Sequence, residues 1–347
     1  MKQTLAIPMQ FVGPMRLRGK HIDTQLTVPL ATFEKPLWAS VHRGALVSRQ
    51  TDGIWLTVVS EGMTRSIVVA APSAQYALDV AHALEERKTD MENVVRTTSR
   101  FAQLVDCQTQ LVGRLLYLRF KVNSGDASGH NMATKAADAL MPWLLQEYSQ
   151  LEYVSISANA CTDKKVSAVN GLLGRGRHVI AEITIPADVC TQYLKTTPEK
   201  IVDLNYKKNW VGSTIAGSLR SANAHFANML LGIYLACGQD AANIVEGSQG
   251  FTTAEVINGA LYFAVTCPNL IVGTVGNGKD LPQIQDNLTA LGCMQEAPPG
   301  ENARRFACIV AATVLCGELS LLAAQTIPGE LMRTHEIIER KYVSNKG

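Results

Sequence analysis

The sequence lacks both the cysteine pattern of a disulfide scaffold and an apparent zinc site. Its eight cysteines occur without a CxxC pair or a regular spacing. Three of them, Cys237, Cys308 and Cys316, lie in apolar runs, where a free thiol behaves as a small hydrophobic side chain. This pattern favours a reducing cytoplasm, and we expect no metal in the protein.

Strong charge and long hydrophobic runs are also missing. A formal net charge of +2 gives no general attraction to nucleic acid or to a membrane, so any anion site must be local. The longest apolar runs, residues 226–238 and 306–317, are too short to span a bilayer and are predicted to be buried helices. Residues 1–14 contain no continuous apolar core of a signal peptide. We therefore expect a soluble, cytoplasmic protein without nucleic-acid or membrane partners.

The composition that is present is typical of a folded protein with a large core. Hydrophobic residues make up 47% and charged residues 18% of the chain. The length of 347 residues predicts two domains, or one large domain with an insertion. A long helix is expected from Ala303 to Gln325, after a start signal at residues 299–302.

One region has the element order of a complete small domain. The predicted elements are a strand at 66–71, a helix from the N-cap Ser73 to about Lys88, strands at 101–110 and 114–122, a helix at 131–148 and a strand at 151–157. This order, β-α-β-β-α-β, is the ferredoxin-like arrangement. We therefore expect a domain at residues 66–155, inserted between the two parts of a larger domain at 1–65 and 156–347.

Three loops are candidates for binding anions. Residues 97–100 join hydroxyl groups to a guanidinium, and residues 124–131 form a loop of small residues that opens a helix, where free N–H groups favour phosphate. An ordinary turn and cap would give the same pattern in each. Residues 273–280 nearly match the phosphate loop GxxxxGK[ST], but Asp280 takes the hydroxyl position and would repel phosphate. Nucleotide hydrolysis is therefore rejected, although this loop can still bring backbone close to a ligand.

The charged stretch Asp163, Lys164 and Lys165 follows the predicted strand at 151–157. Adjacent lysines repel each other unless a carboxylate or another anion is near, although a charge run is more often a solvated loop. On the predicted helix 221–238, His225 and Asn228 share one face, which a satisfied core histidine would also explain. Asp240 follows at the C-terminal end, where the helix dipole disfavours a carboxylate, and this suggests a cationic neighbour.

Together these pieces resemble 3-hydroxy-3-methylglutaryl-CoA reductase, from about Pro29 to His335. The matching motifs are 29–34 (PLATFE), 98–101 (TSRF), 124–127 (SGDA) with Gly129 and Asn131, 161–165 (CTDKK), 209–213 (NWVGS), 223–225 (NAH), 236–240 (ACGQD), 273–276 (GTVG) and 300–304 (GENAR). The resemblance implies an α+β fold, with a large, mostly helical domain around a long central helix and an inserted ferredoxin-like NADPH domain. It also implies homodimers or pairs of dimers that share active sites.

The chemistry implied by the resemblance is the four-electron reduction of 3-hydroxy-3-methylglutaryl-CoA to mevalonate and CoA by two NADPH molecules, for isoprenoid synthesis. Lys164, on the linking loop 156–167, would stabilise the oxyanion, and Glu34 of the partner subunit would supply a proton. Asp240 would tune both groups. His335, on a C-terminal flap at 329–347, would protonate the departing CoA thiolate.

The remaining site residues are also carried over by motif. Those matching contacts to the acyl group are Arg65, Ser157, Asn159, Asp163, Lys165, Lys208, His225 and Asn228, and those matching CoA contacts are Ser40 and Arg43. Those matching the extra ribose phosphate are Ser99 and Arg100. Those matching other cofactor contacts are Asp126, Ser128, Gly129, His130, Asn131, Gly276 and Gly278.

The chain departs from the family at several positions. The family has Gly at the position of Lys35, Asn at His42, Met at His130 and Gly at Asn277. Two alternatives therefore stand beside an active reductase. One is a non-catalytic relative that binds an acyl-CoA thioester, and the other is a thioester reductase for a different acyl group.

Overall fold

Helices and strands both contribute to the fold, at 44% and 28% of the residues. The computed structural model describes residues 5–333 and 336. Its strands are β1 Met9–Gly19, β2 Thr24–Ala31, β3 Ile54–Ala70, β4 Gln103–Val112, β5 Leu115–Asn123, β6 Glu152–Ser155, β7 Gly176–Ile185, β8 Ser221–Ala222, β9 Gly250–Ile257 and β10 Ala260–Leu270. Its α-helices are α1 Pro36–Ser48, α2 Ala74–Glu86, α3 Lys88–Thr98, α4 His130–Glu147, α5 Ala168–Leu173, α6 Ala187–Val189, α7 Pro198–Leu204, α8 Ser213–Ile215, α9 Phe226–Ala236, α10 Ile244–Gly247, α11 Pro282–Ala290 and α12 Glu301–Gln325.

The strand β3 connects the two parts of the sheet. Its first part pairs with β1 and β7, and its second part pairs with β5 and β6. The change of partner falls between Gly62, opposite Gly176 of β7, and Met63, opposite Val122 of β5. A turn at residues 62–65 would be expected from the local sequence, and this expectation is wrong. The strand continues there because a new partner supplies its hydrogen bonds.

Around the second part of β3 the strands lie in the order β4-β5-β3-β6, and each adjacent pair is antiparallel. The helices α2, α3 and α4 share an apolar core with these strands, which includes Val80, Leu118 and Leu140. The predicted cap is present, since Ser73 Oγ accepts a hydrogen bond from the Tyr76 N–H at 3.1 Å. The helix α3 is an addition to the expected pattern.

The long helix α12 runs through the core of the other part. Nearly all residues from Phe306 to Ala324 are buried. Helix α1 lies against it so closely that a Cβ at Gly44 would lie 2.3 Å from the Cys316 carbonyl oxygen. Within the described residues, α12 is the one helix long and apolar enough to cross a membrane. Of its 18-residue apolar window, 94% is buried inside the protein.

This larger part was expected to be mostly helical, but it contains a large share of the sheet. The strands β2, β1, the first part of β3, β7, β10, β9 and β8 form a continuous path beside α12. The predicted helix at 221–238 is also shorter, because α9 begins at Phe226. Asn223 donates to the carbonyls of Ser248 and Gly250, and residues 221–222 pair with β9 instead of joining the helix.

Candidate active site

The charged loop between β6 and α5 has a fixed and strained backbone. Asn159, Thr162 and Lys164 have φ values of 60°, 47° and 54°, in the left-handed region that non-glycine residues rarely occupy. Ser66 of β3 holds the loop, since its carbonyl accepts from Ala158 N–H and its Oγ from Cys161 N–H, both at 3.0 Å. Such strain persists where the surroundings determine it, and it is concentrated at functional sites.

Lys164 and Asp240 form an ion pair at this loop. Lys164 Nζ lies 2.8 Å from Asp240 Oδ2, and the side chains are 40% and 47% exposed. The hydrogen bond to Asp240 raises the pKa of Lys164. Burial raises the pKa of Asp240, but the hydrogen bonds from Lys164 and from the Ala242 N–H, together with the nearby positive charges, leave that pKa below its ordinary value. The predicted cationic neighbour of Asp240 is thus confirmed, and both groups are charged at neutral pH.

A buried ion-pair network supports the neighbouring residue, Asp163. Arg175 Nη1 lies 2.8 Å from Asp163 Oδ1 and 2.6 Å from Glu246 Oε1. The side chains of Arg175 and Glu246 are 1% and 0% exposed. His130 Nε2 lies 3.5 Å from Asp163 Oδ1, and interaction with His130 holds the pKa of Asp163 well below its usual range. Because Asp163 precedes Lys164, this network fixes the backbone from which Lys164 extends.

A cavity of about 430 Å³ opens beside the Lys164–Asp240 pair. Its walls are formed by Arg65, Asp163, Lys164 and Asp240, by residues 127–132 and by residues 275–277 with Lys279. Gly129, the N-cap of α4, has a φ of 98°, and no side chain caps this helix start. The predicted cofactor residues Ser128, Gly129, His130, Asn131 and Gly276 therefore lie in one cavity with Lys164.

A second cavity, of about 630 Å³, is lined by Arg100, Phe101, Gly125 and Arg304, among others. The Arg100 guanidinium lies over the Phe101 ring, at 4.6 Å from its centroid. Ser99, expected beside Arg100, instead accepts a hydrogen bond from the Phe101 N–H at 3.3 Å.

Asp126 has a different contact from the one that its motif suggests. Its carboxylate accepts hydrogen bonds from the N–H groups of Gly300 at 2.8 Å and Ala303 at 2.9 Å. It therefore caps the start of α12 and joins the loop between the two cavities to the core helix.

A third cavity, of about 420 Å³, lies between α1, α9 and α12 and is lined by Glu34, Ser40, Arg43, His225 and Asn228, among others. Arg43 Nε donates to Ser320 Oγ at 3.0 Å, and burial lowers the pKa of Arg43. His225 Nε2 lies 3.0 Å from the Gly317 carbonyl oxygen, and Asn228 Nδ2 lies 3.5 Å from His225 Nδ1. Within this chain, Glu34 and the Lys164–Asp240 pair line different cavities.

The remaining predicted residues that the structure describes do not line these three cavities. Lys165 and Ser157 are exposed, and burial lowers the pKa of the half-buried Lys208. Gly278 packs against Gly238, where an added Cβ would lie 2.9 Å from the carbonyl oxygen. His335 lies outside the described residues.

Sequence reasoning missed Arg175, Glu246, Glu318 and Lys279. Glu318 is buried and accepts hydrogen bonds from the N–H groups of Ala224 and His225. The rejected phosphate-loop pattern was the one signal that pointed to Lys279. Within the described residues, no cluster of three or more His, Cys, Asp or Glu side chains could hold a metal ion.

Known proteins resemble the chain in sequence and in fold. Residues 3–340 match the family model described as hydroxymethylglutaryl-coenzyme A reductase. The chain is 43% identical over 337 residues to 3-hydroxy-3-methylglutaryl-coenzyme A reductase of Pyrococcus abyssi, covering 96% of this chain and 82% of the relative. It is 41% identical over 336 residues to the enzyme of the same name from Aeropyrum pernix, covering 96% of this chain and 79% of the relative. The solved class II 3-hydroxy-3-methylglutaryl-CoA reductase of Streptococcus pneumoniae, bound to NADPH in open conformations, has the same fold, with a TM-score of 0.75 at 20% identity over 93% of this chain and 86% of that one.

Proposed function

The chain belongs to the hydroxymethylglutaryl-CoA reductase family, and we propose that it reduces 3-hydroxy-3-methylglutaryl-CoA to mevalonate and CoA with two NADPH molecules. The names of its relatives support this activity, and one structural neighbour is bound to NADPH. The observation that carries the proposal is the Lys164–Asp240 pair, 2.8 Å apart, at the edge of a cavity large enough for part of a dinucleotide.

Lys164 stabilises the oxygen of the thioester carbonyl as negative charge develops on it. Its hydrogen bond to Asp240 raises its pKa, so the ammonium remains protonated when substrate arrives. A preformed cation costs little reorganisation at the moment of reaction, and it is strongest where the substrate excludes water. Asp240 orients this ammonium and limits its excess charge.

The two cavities would hold two parts of one dinucleotide, because Gly125 lines one and Ala127 lines the other. NADPH, when bound, supplies the hydride. Gly276 lines the cavity beside Lys164, and an added Cβ there would meet nothing within 4 Å, so its backbone is open to a ligand. His130 lines the same cavity, with its Nε2 already 3.5 Å from Asp163 Oδ1. Arg100 in the second cavity would hold the extra ribose phosphate.

The cavity with Glu34 would hold the acyl-CoA, with Ser40 and Arg43 on its α1 wall. Glu34 is exposed and lines a different cavity from Lys164 in its own chain, which supports a homodimer in which Glu34 of one subunit serves Lys164 of the other. In that site Glu34 would deliver a proton to the reduced carbonyl. His335 would protonate the CoA thiolate.

The division into domains follows the same assignment. Residues 66–155 would form the NADPH domain, and residues 1–65 and 156–347 the domain for the acyl-CoA. The expected location is the cytoplasm.

The activity is tested by following NADPH oxidation with 3-hydroxy-3-methylglutaryl-CoA and measuring mevalonate, with NADH run alongside. The proposal expects two NADPH consumed for each thioester. A folded protein that binds the thioester and oxidises neither cofactor would instead support the non-catalytic alternative.

The role of Lys164 is tested by Lys164→Ala, with the exposed Lys200→Ala on α7 as the charge-matched control. We expect a loss of at least about a hundredfold, because a group that stabilises an oxyanion contributes that much to the rate. A rate above roughly one tenth of wild type would contradict this role.

The shared site is tested by mixing the Lys164→Ala and Glu34→Ala variants after partial unfolding and refolding. In a symmetric dimer with shared sites, each mixed dimer regains one intact site, so random mixing restores about a quarter of wild-type activity. No recovery would place both residues in a site within one chain.

A further inference from the structure

Lys279 is a buried cation in the wall of the cavity beside Lys164. It is 8% exposed, and its Nζ donates to the Gly238 carbonyl at 2.6 Å and the Asn277 carbonyl at 3.2 Å. Neither acceptor carries a formal charge. Within the part of the chain that the structure describes, Lys279 has no carboxylate in ion-pair contact, although Asp240 acts on its charge from a distance.

The ammonium of Lys279 can donate one more hydrogen bond. It has three N–H donors, of which the two carbonyls use two. Burial lowers the pKa of Lys279, because removal from water disfavours the charged form of the ammonium. A buried charge is stabilised when an opposite charge binds beside it. The two carbonyls fix the position of Nζ, so little side-chain freedom remains to be lost on binding.

The N-terminus of α4 lines the same cavity. This helix has 18 residues and no side-chain cap, and Gly129, His130 and Asn131 at its start all line the cavity. Free N–H groups and the helix dipole favour an anion there. The loop with Lys279 is joined to this helix start, because Ala127 forms a bridge with Val275 and the Thr274 N–H donates to the Asp126 carbonyl at 2.8 Å.

The two carboxylates that line this cavity are already paired with other cations, so neither forms an ion pair with Lys279. Lys164 is paired with Asp240, and Asp163 with Arg175. NADPH carries two anionic groups, and the extra ribose phosphate is assigned to Arg100 in the other cavity, so one anionic group remains for the cavity with Lys279. That remaining group is the pyrophosphate.

We propose that Lys279 binds the pyrophosphate of the dinucleotide cofactor, together with the N-terminus of α4. This inference rests on the proposed function, because it takes the cofactor to be NADPH. Arg100 and Lys279 would then have separate roles. Arg100 distinguishes NADPH from NADH, whereas Lys279 contacts a group that both cofactors contain.

The test is Lys279→Met, which removes the charge and keeps most of the side-chain volume. The dissociation constants of NADPH and NADH are measured by fluorescence, without acyl-CoA. We expect both constants to rise by roughly tenfold to a hundredfold, as for the loss of a charge-assisted hydrogen bond. Lys279→Arg should restore most of the affinity, and Lys200→Met, on the exposed surface of α7, should leave both constants unchanged.

Three results would overturn the proposal. Unchanged constants would show that Lys279 does not contact the cofactor. A loss confined to NADPH would show that it contacts the extra phosphate. A lower rate at saturating cofactor, with unchanged constants, would show that it acts only by positioning Asp240 through Gly238.

A second measurement covers the case in which Lys279→Met does not fold, as judged by circular dichroism. Inorganic pyrophosphate should then compete with NADPH for the wild-type protein, and more weakly for Lys279→Gln. No competition would refute the inference. Turnover of the wild type tests the proposed function separately, because a protein that binds NADPH and reduces no thioester contradicts only that function.

Discussion

Removing the buried guanidinium of Arg175 should destabilise the protein strongly. Arg175 is 1% exposed and lies between Glu246, which is 0% exposed, and Asp163. In the Arg175→Met variant, the carboxylate of Glu246 would stay buried without its cation. Breaking a buried ion pair in this way costs about 3–5 kcal/mol of the free energy of unfolding. We expect a loss of that size near neutral pH.

The loss should also depend on pH, with a definite sign. Burial raises the pKa of Glu246, and Arg175 opposes this, so the substitution should raise that pKa further. A carboxyl whose pKa is higher in the folded state binds more protons there than in the unfolded state. Stability therefore falls as the pH rises from the ordinary pKa of the carboxyl to its pKa in the folded state. The fall is up to ~1.4 kcal/mol for each pH unit.

The assay is urea unfolding followed by circular dichroism, at about pH 4.5, close to the ordinary pKa of a glutamate carboxyl, and at about pH 8. The control is Asp203→Asn, which removes the exposed Lys207–Asp203 pair and should leave stability within experimental error. A loss below about 1 kcal/mol for Arg175→Met would refute the reasoning. So would a loss that does not grow as pH rises.

Two further predictions concern the cofactor loop. Asp126→Ala removes the carboxylate that caps α12, so we expect a loss of about 1 kcal/mol in urea unfolding and weaker binding of NADPH and NADH alike; unchanged stability would contradict the capping role. Arg100→Ala should raise the Michaelis constant for NADPH much more than that for NADH, and equal effects would mean that another group contacts the extra phosphate.

Apart from α3, the elements of residues 66–155 could be predicted because their signals are local. Ser73 caps α2 as expected, and the strands β4 and β5 flank the turn at Gly113. The continuity of β3 could not be predicted, because its first part and its second part pair with different strands. Nothing near Gly62 in the sequence shows that β7 gives way to β5 at this point.

The predicted start of α9 at Ser221 was wrong for a similar reason. The apolar pattern from Ser221 fits a helix, but the carboxylate of Glu318 accepts hydrogen bonds from Ala224 and His225, which lie 94 and 93 residues away in the chain. Those bonds hold the segment before Phe226 outside the helix. A long-range acceptor that is buried in α12 has no local signature.

In the site, the position of Asp240 correctly predicted a cation beside it, but the reason behind that prediction was incomplete. An acid after the C-terminal end of α9 suggested a cation nearby, and the cation is Lys164. However, Asp240 is also the N-cap of the next helical turn, where its Oδ1 accepts from the Ala242 N–H at 3.1 Å. A carboxylate is favourable at that position even without Lys164.

The phosphate-loop pattern shows what local sequence leaves undetermined. Asp280 excluded nucleotide hydrolysis, because that chemistry needs a hydroxyl at its position. Binding a pyrophosphate needs less, namely a fixed cation and free backbone N–H groups. In the fold Asp280 is exposed and Lys279 is buried in the cavity wall, so adjacent charges of opposite sign meet different surroundings. The pattern supplied the residue types, but the fold decides which of the two charges a ligand would meet, because the Gly238 and Asn277 carbonyls hold Lys279 in the cavity wall.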